Sequence, residues 1–235
     1  MANEIERKFL INLENLELQE LLKKTTPHFI KQSYLNLDEE IFFQVQVFAK
    51  KEESFLLLEG PLYCYEKEIP FQDAKEILSM CNDVNYYTNK DQIFRIRQKN
   101  EKGFITFKGK KIGIIQPEYE YEIPLEEITK IFKFCEKFVE KNRFDIIVND
   151  KKWEIDFFLG NNEGLVVAEI ELEHENEDVK IPNWIMQEVT QDKKFSNAQL
   201  FIYPFSQWTD EEKNLMNNNN LKNIKHQKSS KHKPT

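Results

Sequence analysis

Seven short segments of this chain alternate apolar residues with charged or polar ones at a period of two, the spacing at which successive β-strand side chains point to opposite faces. The segments are EIERKF (4–9), IFRIRQ (93–98), GFITFKG (103–109), EYEYEIP (118–124), KNRFDII (141–147), WEIDFF (153–158) and VVAEIELE (166–173). Between them, residues 14–24 and 125–141 carry apolar residues at helical spacing. The pattern predicts an α+β fold with a dominant antiparallel sheet that has one charged and one apolar face.

Charges of like sign are grouped on these strands: Arg95 with Arg97, Glu120 with Glu122, and Glu169 with Glu171. Because like charges two residues apart on a strand repel each other, such groups persist where something of opposite sign joins them. A closed barrel with its apolar face turned outward under helices would collect the charged faces in one lumen. We therefore predict a lumen that holds an acidic site for a hard divalent cation and a polyanion site. The basic residues of the polyanion site are Lys8, Arg95, Arg97, Lys108, Lys141 and Arg143.

Composition limits the class of protein. The 235 residues are 40% hydrophobic and include 19 Phe, enough for one large β-rich domain or two small ones. The net charge is −8, without the overall positive charge typical of nucleic-acid-binding proteins, so nucleic acid is not an expected partner. No apolar run reaches the roughly 18 residues of a membrane span and no signal-peptide pattern follows Met1, so we expect a cytoplasmic protein without a membrane partner. Cys64, Cys81 and Cys135 lack metal-type spacing and are expected to be buried, reduced thiols.

Several segments taken together resemble the CYTH superfamily, the triphosphate tunnel metalloenzymes. Residues 4–8 match the family's ExExK signature, and the later charged strands follow in the family's order. Further similarity lies in QSYL (32–35), in the P-x-W…EVT-x-D…N-x-x-L pattern of residues 180–200, and in YPFSQW (203–208). ExExK alone is a weak pattern, whereas the ordered set is specific. We assign residues 1–208 to a tunnel domain and the polar, basic, low-complexity residues 209–235 to a flexible tail.

The resemblance implies a closed eight-stranded antiparallel barrel with helices packed outside, whose charged lumen binds a triphosphate compound with Mg²⁺ or Mn²⁺. It implies that the metal is held by Glu4, Glu6, Glu169 and Glu171. The implied catalytic residues are Glu4, Glu6, Lys8, Lys108, Glu120, Glu122 and Asp156. The implied phosphate-binding residues are Lys8, Arg95, Arg97, Lys108, Lys141, Arg143, Lys193 and Lys194. One of the carboxylates, or a second metal ion, would orient the attacking water.

The resemblance favours hydrolysis of inorganic triphosphate, because the C-terminal segments are similar to those of compact bacterial-type members and no base-stacking pocket can be read from the sequence. Two alternatives stay open, a class IV-type adenylate cyclase and a thiamine triphosphatase. An alternative of another class is a non-catalytic polyphosphate-binding module. The retention of both the acidic and the basic residues argues against that module, because an anion binder would not need metal carboxylates.

The chain departs from the family pattern by an insertion. Sixty residues lie between Tyr34 and Arg95, where family members run almost directly from one strand to the next. The insertion resembles the segment that follows it: FFQVQV (42–47) resembles IFRIRQ, SFLLLEG (54–60) resembles GFITFKG, and YEKEIPFQDAKEILSMC (65–81) resembles YEYEIPLEEITKIFKFC (119–135). Glu66, Glu68, Pro70 and Cys81 each lie 54 positions before Glu120, Glu122, Pro124 and Cys135. We predict that residues 38–91, called copy one, are a degenerate strand-strand-strand-helix repeat of residues 92–141, called copy two.

The two copies differ where phosphate would bind. Copy one has Gln44 and Gln46 in place of Arg95 and Arg97, and Glu59 in place of Lys108. An amide lacks the charged, bidentate contact of a guanidinium, and a carboxylate repels phosphate. Copy one should therefore not bind triphosphate. We hypothesise that it packs beside or against the tunnel as a lid, a partner surface or a homodimer contact. The alternative is an inert duplication on the surface.

Overall fold

The computed structural model describes residues 2–35, 37, 44–80 and 93–213. Its strands are β1 (Ala2–Ile11), β2 (His28–Tyr34), β3 (Gln44–Lys50), β4 (Glu53–Gly60), β5 (Tyr63–Glu68), β6 (Ile93–Lys99), β7 (Lys102–Lys108), β8 (Ile115–Ile123), β9 (Val139–Val148), β10 (Lys151–Leu159), β11 (Val166–Glu171) and β12 (Ile185–Glu188). Its α-helices are α1 (Leu16–Lys23), α2 (Phe71–Met80), α3 (Leu125–Phe132) and α4 (Asn197–Ile202). Turns of 3-10 helix lie at Gly160–Asn162, Lys193–Phe195 and Phe205–Gln207.

The main sheet closes on itself. Its nine strands are hydrogen-bonded in the order β11-β10-β9-β2-β6-β7-β8-β1-β12, and β1 also pairs with β11, so eight strands form a closed barrel with β12 added beside β1. The seven alternating segments are the barrel strands β1 and β6 to β11, and β2, which contains the QSY of the resemblance, is the eighth. The predicted eight-stranded antiparallel barrel is therefore confirmed. Alternation was informative because the two faces of each strand have different surroundings.

The chain forms two compact units, of which the first comprises the described residues within 1–5 and 28–141. Its core is one cluster of apolar side chains from strands β3 to β8 and from helices α2 and α3. Phe94 and Phe107, on neighbouring strands, have ring centroids 5.0 Å apart within this core. Ile77 of α2 and Ile128 of α3 are fully buried in it. The apolar face of β6, β7 and β8 is thus covered within this unit.

The second unit comprises residues 6–27 and the chain from 142 onward, described to 213. Trp153 and Trp184 are fully buried with ring centroids 5.3 Å apart, and Phe9 of β1 packs on Trp153 at 5.6 Å. Helix α1 begins after Asn15, whose side chain accepts a hydrogen bond from the Leu18 backbone N–H. Such an N-cap satisfies one of the free amides of the first turn. The predicted helix within residues 14–24 is confirmed.

Helix α3 is shorter than the apolar spacing predicted. The helix ends at Phe132, and residues 139–141 already belong to strand β9 beside β2. Lys141 and Arg143, two residues apart, are both buried, which strand alternation produces and helical spacing does not. The prediction of a helix over residues 125–141 is therefore wrong beyond residue 132. Pairing with β2 outweighs the local apolar spacing, because that spacing does not reflect contacts with a neighbouring strand.

Copy one forms its own small sheet. Strands β3, β4 and β5 pair in that order apart from the main sheet, and α2 follows them, as α3 follows β6, β7 and β8. Val45, Val47, Leu56 and Leu58 of this sheet belong to the same apolar cluster as the core face of copy two. Copy one therefore packs against copy two through a shared core.

The strand register corrects the alignment of the two copies by two residues on their first strands. Residues 51–52 and 100–101 form the turns of the two hairpins, so both turns contain two residues. With the turns superposed, Glu59 corresponds to Lys108, but Gln46 corresponds to Arg95. Phe48 then takes the position of Arg97. The predicted match of Gln44 with Arg95 is wrong. Two alternating strands still resemble each other when one is shifted by two residues, whereas hairpin turns of equal length fix the register.

Three expectations from composition have different outcomes. Cys135 is buried as predicted, whereas Cys64 is exposed, because it lies on the face of β5 opposite Tyr63 and Tyr65, which pack on the core. Cys81 lies outside the described residues, as do residues 214–235 of the predicted tail. Across the part of the chain that the structure describes, every helix is too short or too polar to span a bilayer.

Candidate functional site

A first charged cluster lies on β6, β7, β8 and the start of β1. Its members are Glu4, Arg95, Arg97, Thr106, Lys108, Glu118 and Glu120. On β7, Thr106 lies opposite Arg95 of β6 on one side and opposite Glu120 of β8 on the other. Directly opposed residues in an antiparallel sheet have side chains within contact distance. Strand register therefore brings a cation, a hydroxyl and a carboxylate into one row.

Both arginines of this cluster are bound by carboxylates. Arg95 Nη2 lies 2.9 Å from Glu118 Oε1, 3.0 Å from Glu120 Oε2 and 3.1 Å from Thr106 Oγ1. Arg97 Nη2 lies 2.7 and 2.5 Å from the two oxygens of Glu120. Such charge-assisted contacts fix the orientation of a planar guanidinium. The like charges of Arg95 and Arg97 on β6 are thus neutralised by carboxylates on β8, on the far side of β7.

Lys108 completes the cluster. Its Nζ binds Glu118 at 2.8 Å and also Glu4. Burial by itself would lower the pKa of Arg95, but Glu118, Tyr34, Glu120 and Glu4 together outweigh it, so the net pKa is raised. Burial would likewise raise the pKa of Glu118, yet Lys108 and Arg95 bring it below its ordinary value. Arg95 and Glu118 therefore each stabilise the charged form of the other.

A second charged cluster lies on β1, β9, β10 and β11. Its members are Glu6, Lys8, Arg143, Glu154, Asp156 and Glu169. Arg143 is its centre: Nε and Nη2 bind the two oxygens of Asp156 at 2.6 and 2.5 Å, and Nη2 binds Glu169 at 2.5 Å. Glu154 contacts Nη1. The Asp156 side chain is fully buried, so its contact with Arg143 is a desolvated, bidentate ion pair.

Lys8 joins this cluster from β1, where it lies opposite Glu169 of β11. Its Nζ binds Glu169 and lies 3.0 Å from Glu6, which is two residues away on the same strand face. Burial works to lower the pKa of Lys8, but the two carboxylates raise it well above its ordinary value. Lys8 is therefore a buried ammonium that stays charged over the accessible pH range.

The remaining site residues predicted on the strands are placed differently. Glu122 is exposed and pairs with the exposed Lys102 at 2.8 Å. Glu171 is exposed at the end of β11, opposite Glu6. Lys141 is buried at 2% exposure on β9. Glu122 and Glu171 are thus more exposed than most members of the two charged clusters, whereas Lys141 has the burial of a site residue.

The two C-terminal lysines border a different feature. Lys194 Nζ binds Glu212 at 2.8 Å and lies 5.1 Å from the centre of the Trp208 ring, whereas Lys193 is exposed. Lys194 lines a pocket of about 580 Å³ in the second unit, together with Leu10, residues 187–192, Phe195 and Glu212. Residues 209–213, which the sequence assigned to the tail, therefore contribute Glu212 to this pocket.

Sequence reasoning missed three members of the clusters, namely Thr106, Glu118 and Glu154. Glu118 shares the face of Glu120 by simple alternation, and its position opposite Lys108 was the signal that could have found it. Glu154 lies opposite Glu169 in the same way. These contacts depend on register between strands, which alternation within one strand does not specify.

The donor chemistry of the carboxylates fits a hard divalent cation. Glu4, Glu6 and Glu169 offer carboxylate oxygens, the ligands that Mg²⁺ and Mn²⁺ prefer. Each of these three carboxylates contacts a lysine ammonium group. Among the described residues, no three His, Cys, Asp or Glu side chains are close enough together to enclose a metal ion. A cation would therefore have to replace lysine ammonium groups as the partner of these oxygens.

Comparison with known proteins gives a family match, two sequence relatives and similar solved structures. The sequence profile of the CYTH domain matches residues 83–199, a range that begins after α2. The inorganic triphosphatase of Acetivibrio thermocellus is 44% identical over 126 residues, which are 53% of this chain and 81% of that protein. The inorganic triphosphatase of Nitrosomonas europaea is 31% identical over 112 residues, which are 46% of this chain and 74% of that protein.

A crystal structure of an inorganic triphosphatase is 22% identical in sequence and superposes with a TM-score of 0.47, covering 86% of this chain and 96% of the other. The two sequence relatives are each matched over more than two thirds of their length at 30% identity or above. The family profile covers the strands that carry most of both charged clusters. The chain belongs to the CYTH domain family.

Proposed function

We propose that this protein hydrolyses inorganic triphosphate in a reaction that depends on a divalent metal ion. The observation that carries the proposal is the pair of charged clusters, in which arginine and lysine side chains are buried yet kept ionised. Buried cations in fixed orientations are what a polyphosphate requires, because phosphoryl transfer depends on positioning and on stabilising charge. The two curated relatives named inorganic triphosphatase support the same substrate.

The cations would exchange carboxylate partners for phosphate oxygens. In the first charged cluster three cations face three carboxylates, so the cluster is neutral without substrate. Arg95, Arg97 and Lys108 would bind phosphate oxygens, and guanidinium groups do so with two parallel hydrogen bonds. Lys141 and Arg143 would serve the same role on β9. Lys193 or Lys194 would close over the substrate.

The second charged cluster is rich in carboxylates. Two buried cations, Lys8 and Arg143, and Lys152, whose side chain is 47% exposed, contact four of them. A divalent cation is a natural partner for carboxylates grouped in this way. We assign its binding to Glu4, Glu6, Glu169 and Glu171. When bound, Mg²⁺ or Mn²⁺ supplies charge neutralisation at the phosphate oxygens.

The acidic residues would also handle the water. Glu120, Glu122 and Asp156 complete the acidic set, and one of the carboxylates would orient the attacking water and accept its proton. Lys8 would stabilise the negative charge that develops on the phosphate oxygens, since it remains an ammonium when buried. In this scheme the protein contributes position and electrostatics, and no covalent intermediate is required.

A screen of metal-dependent phosphate release tests the substrate. Inorganic triphosphate, ATP and thiamine triphosphate are each supplied with Mg²⁺, with Mn²⁺ and with a chelator, and cyclic AMP is measured alongside. We expect the fastest release from inorganic triphosphate and none with the chelator. Cyclic AMP as the main product of ATP would favour a cyclase, and faster release from thiamine triphosphate would favour the third reaction. Triphosphate binding without release in any metal would overturn the proposal in favour of a binding module.

A single carboxylate tests the metal assignment. Glu6→Gln should abolish turnover while the protein stays folded, because an amide is a weaker ligand for a hard cation and the crowding of charge is relieved. Glu20→Gln on the exposed face of α1 is the control and should keep full activity. A folded Glu6→Gln protein with undiminished turnover would contradict the assignment.

A further inference from the structure

Helix α2 of copy one contacts strand β8 of copy two through two hydrogen bonds from tyrosines to carboxylates. Tyr119 Oη donates to Glu76 at 2.6 Å, and Tyr121 Oη donates to Asp73 at 2.8 Å. A hydrogen bond to an ionised acceptor is shorter and stronger than one between neutral groups. The degenerate repeat therefore attaches to copy two by directional contacts as well as by the apolar core.

Strand β8 has the first charged cluster on its opposite face. Glu118 and Glu120 flank Tyr119, and successive side chains of a strand point to opposite sides. These two glutamates are the partners of Arg95, Arg97 and Lys108. Any displacement or rotation of β8 that follows loss of the tyrosine contacts must move the two carboxylates as well, because both sets of side chains share one backbone segment.

The C-terminal end of α2 contacts copy two at a second place. A Cβ atom on Gly109 would lie 2.9 Å from the Met80 sulfur atom, so the chain next to Lys108 passes close to the helix end. The backbone N–H of Gly109 also donates to Pro117 at the start of β8. Helix α2 is itself held, since Ala74 and Ile77 are fully buried in the shared core. A fixed helix thus contacts β8 along one side and the end of β7 at its tip.

We infer that α2 of the degenerate repeat is a positioning element for the first charged cluster, acting through Tyr119 and Tyr121 on the carboxylates of Glu118 and Glu120. The inference gives copy one a role that needs no phosphate contact of its own, and its catalytic consequence rests on the function proposed above. It also differs from the readings of copy one as a lid or as an inert duplication, because its effect passes through the back of a site strand.

The chain contains a matched control for this inference. Tyr63 Oη on β5 donates to Glu127 of α3 at 2.8 Å, the same distance as in the contact of Tyr121 with Asp73. Asp73 and Glu127 occupy equivalent positions, 54 residues apart. The contacts thus join the same two copies with the same chemistry. They differ in what the strand carries on its other face, because β5 presents Cys64 and Glu66 to solvent instead of a charged cluster.

The experiment compares Tyr119→Phe and Tyr121→Phe with Tyr63→Phe in the full chain. All three remove one hydroxyl and keep the ring, so each should lower Tm slightly without unfolding the protein. Loss of a contact that orients a site residue costs about tenfold to a hundredfold in activity when such contacts surround a site. We expect kcat for inorganic triphosphate to fall by about tenfold in Tyr119→Phe, by less in Tyr121→Phe, and to stay within about twofold of wild type in Tyr63→Phe.

Two further readouts separate positioning from general stability. The NMR signal of the Arg95 Nε–H group, which faces Thr106, should shift in Tyr119→Phe and stay in place in Tyr63→Phe. Glu76→Gln keeps an oxygen acceptor for Tyr119 and should retain more activity than Glu76→Ala. The inference is overturned if the Arg95 signal and kcat are unchanged in Tyr119→Phe, or if Tyr63→Phe loses as much as the β8 variants. If wild type releases no phosphate, the proposed function fails, and the Arg95 signal still decides the positioning.

Discussion

Copy one and copy two have the same succession of strands and helix but different chemistry on one face. At the positions of Arg95, Arg97 and Lys108, copy one carries Gln46, Phe48 and Glu59. At the positions of Thr106 and Glu118 it carries Leu57 and Cys64. The core face, in contrast, is apolar in both copies. A backbone can thus be repeated intact while its site face is lost, because the fold depends on burial of the other face.

One aromatic contact illustrates the exchange. In copy two the Arg97 guanidinium lies 5.4 Å from the centre of the Phe104 ring. At the equivalent place in copy one, Phe48 stacks on Phe55 at 4.6 Å. Replacing a cation by an aromatic ring keeps a favourable contact across the strands but removes the charge. Copy one has therefore kept cross-strand packing where copy two has kept a group able to bind phosphate.

The largest expected difference concerns Arg95 and Gln46. Arg95→Ala should lower kcat/KM for triphosphate by about two to three orders of magnitude, because it removes a buried charge that would contact developing phosphate charge. Gln46→Ala should change it by less than about twofold, since an amide cannot neutralise phosphate. Steady-state kinetics of both variants, checked for folding by circular dichroism, make the comparison. Equal losses would mean that copy one also lines the site.

Lys108 and Glu59 should differ by a somewhat smaller factor. Lys108→Ala should lower kcat/KM by about a hundredfold, because an ammonium makes single-point contacts with phosphate and lacks the fork of an arginine. Glu59→Ala should have little effect. Salt provides an independent check: raising ionic strength should weaken triphosphate binding less in Lys108→Ala than in wild type, and equally in Glu59→Ala and wild type. Identical salt dependence in all three proteins would remove Lys108 from the phosphate site.

The dependence of Tm on acidic pH should also distinguish copy two from copy one. The pKa values of Glu118 and Glu120 lie below their ordinary value of 4.5, because nearby cations outweigh the effect of burial. A carboxylate with a lowered folded pKa contributes stability above its unfolded pKa and loses that contribution as pH falls through the folded value. Wild type should therefore lose Tm progressively below about pH 4.5.

Paired variants test the origin of that loss. Glu118→Gln combined with Glu120→Gln should flatten the fall of Tm in acid, whereas Glu66→Gln combined with Glu68→Gln, on exposed positions of β5, should leave its shape as in wild type. Differential scanning calorimetry over a pH series measures both. The same acid dependence in the two double variants would argue against a contribution from the first charged cluster.

The smallest effect is expected from putting charge back into copy one. Gln46→Arg combined with Glu59→Lys restores the two cations. However, the side chain at position 59 is exposed, and Cys64 stands at the position of the carboxylate Glu118. A cation in water gains little from an anion, typically under about 1 kcal/mol. Triphosphate affinity measured by calorimetry should therefore change by less than about fivefold. A second binding site of wild-type strength in this variant would show that the cations alone make the site.

The alternation of β1 and β6 to β11 could be predicted from sequence, since each strand separates an apolar core from charged groups and the period of two records that separation. Five of the six cations predicted for the polyanion site, Lys8, Arg95, Lys108, Lys141 and Arg143, are buried on strands of the main sheet, and their roles stay predictions. The end of α3 at Phe132 could not be predicted. The apolar spacing continues beyond Phe132, but the conformation there is determined by pairing with β2, a strand about a hundred residues earlier in the chain.

Glu118 and Glu154 were missed because a contact between strands depends on register, and register depends on turn lengths and pairing partners. The same reason explains why Gln46, not Gln44, corresponds to Arg95. Exposure of Cys64 was likewise a matter of which face of β5 met the core.

By itself, the sequence determined which residues share a strand face, that two segments of the chain resemble each other, and that one copy lacks the cations of the other. These are local properties, carried by period and composition along one segment. The tertiary structure alone decided which carboxylate neutralises which arginine. It also decided that α2 of copy one binds the face of β8 opposite the first charged cluster. Arg95 and Glu118 lie 23 positions apart in the chain and Asp73 and Tyr121 lie 48 apart, so only pairing and packing of the folded chain can specify these contacts.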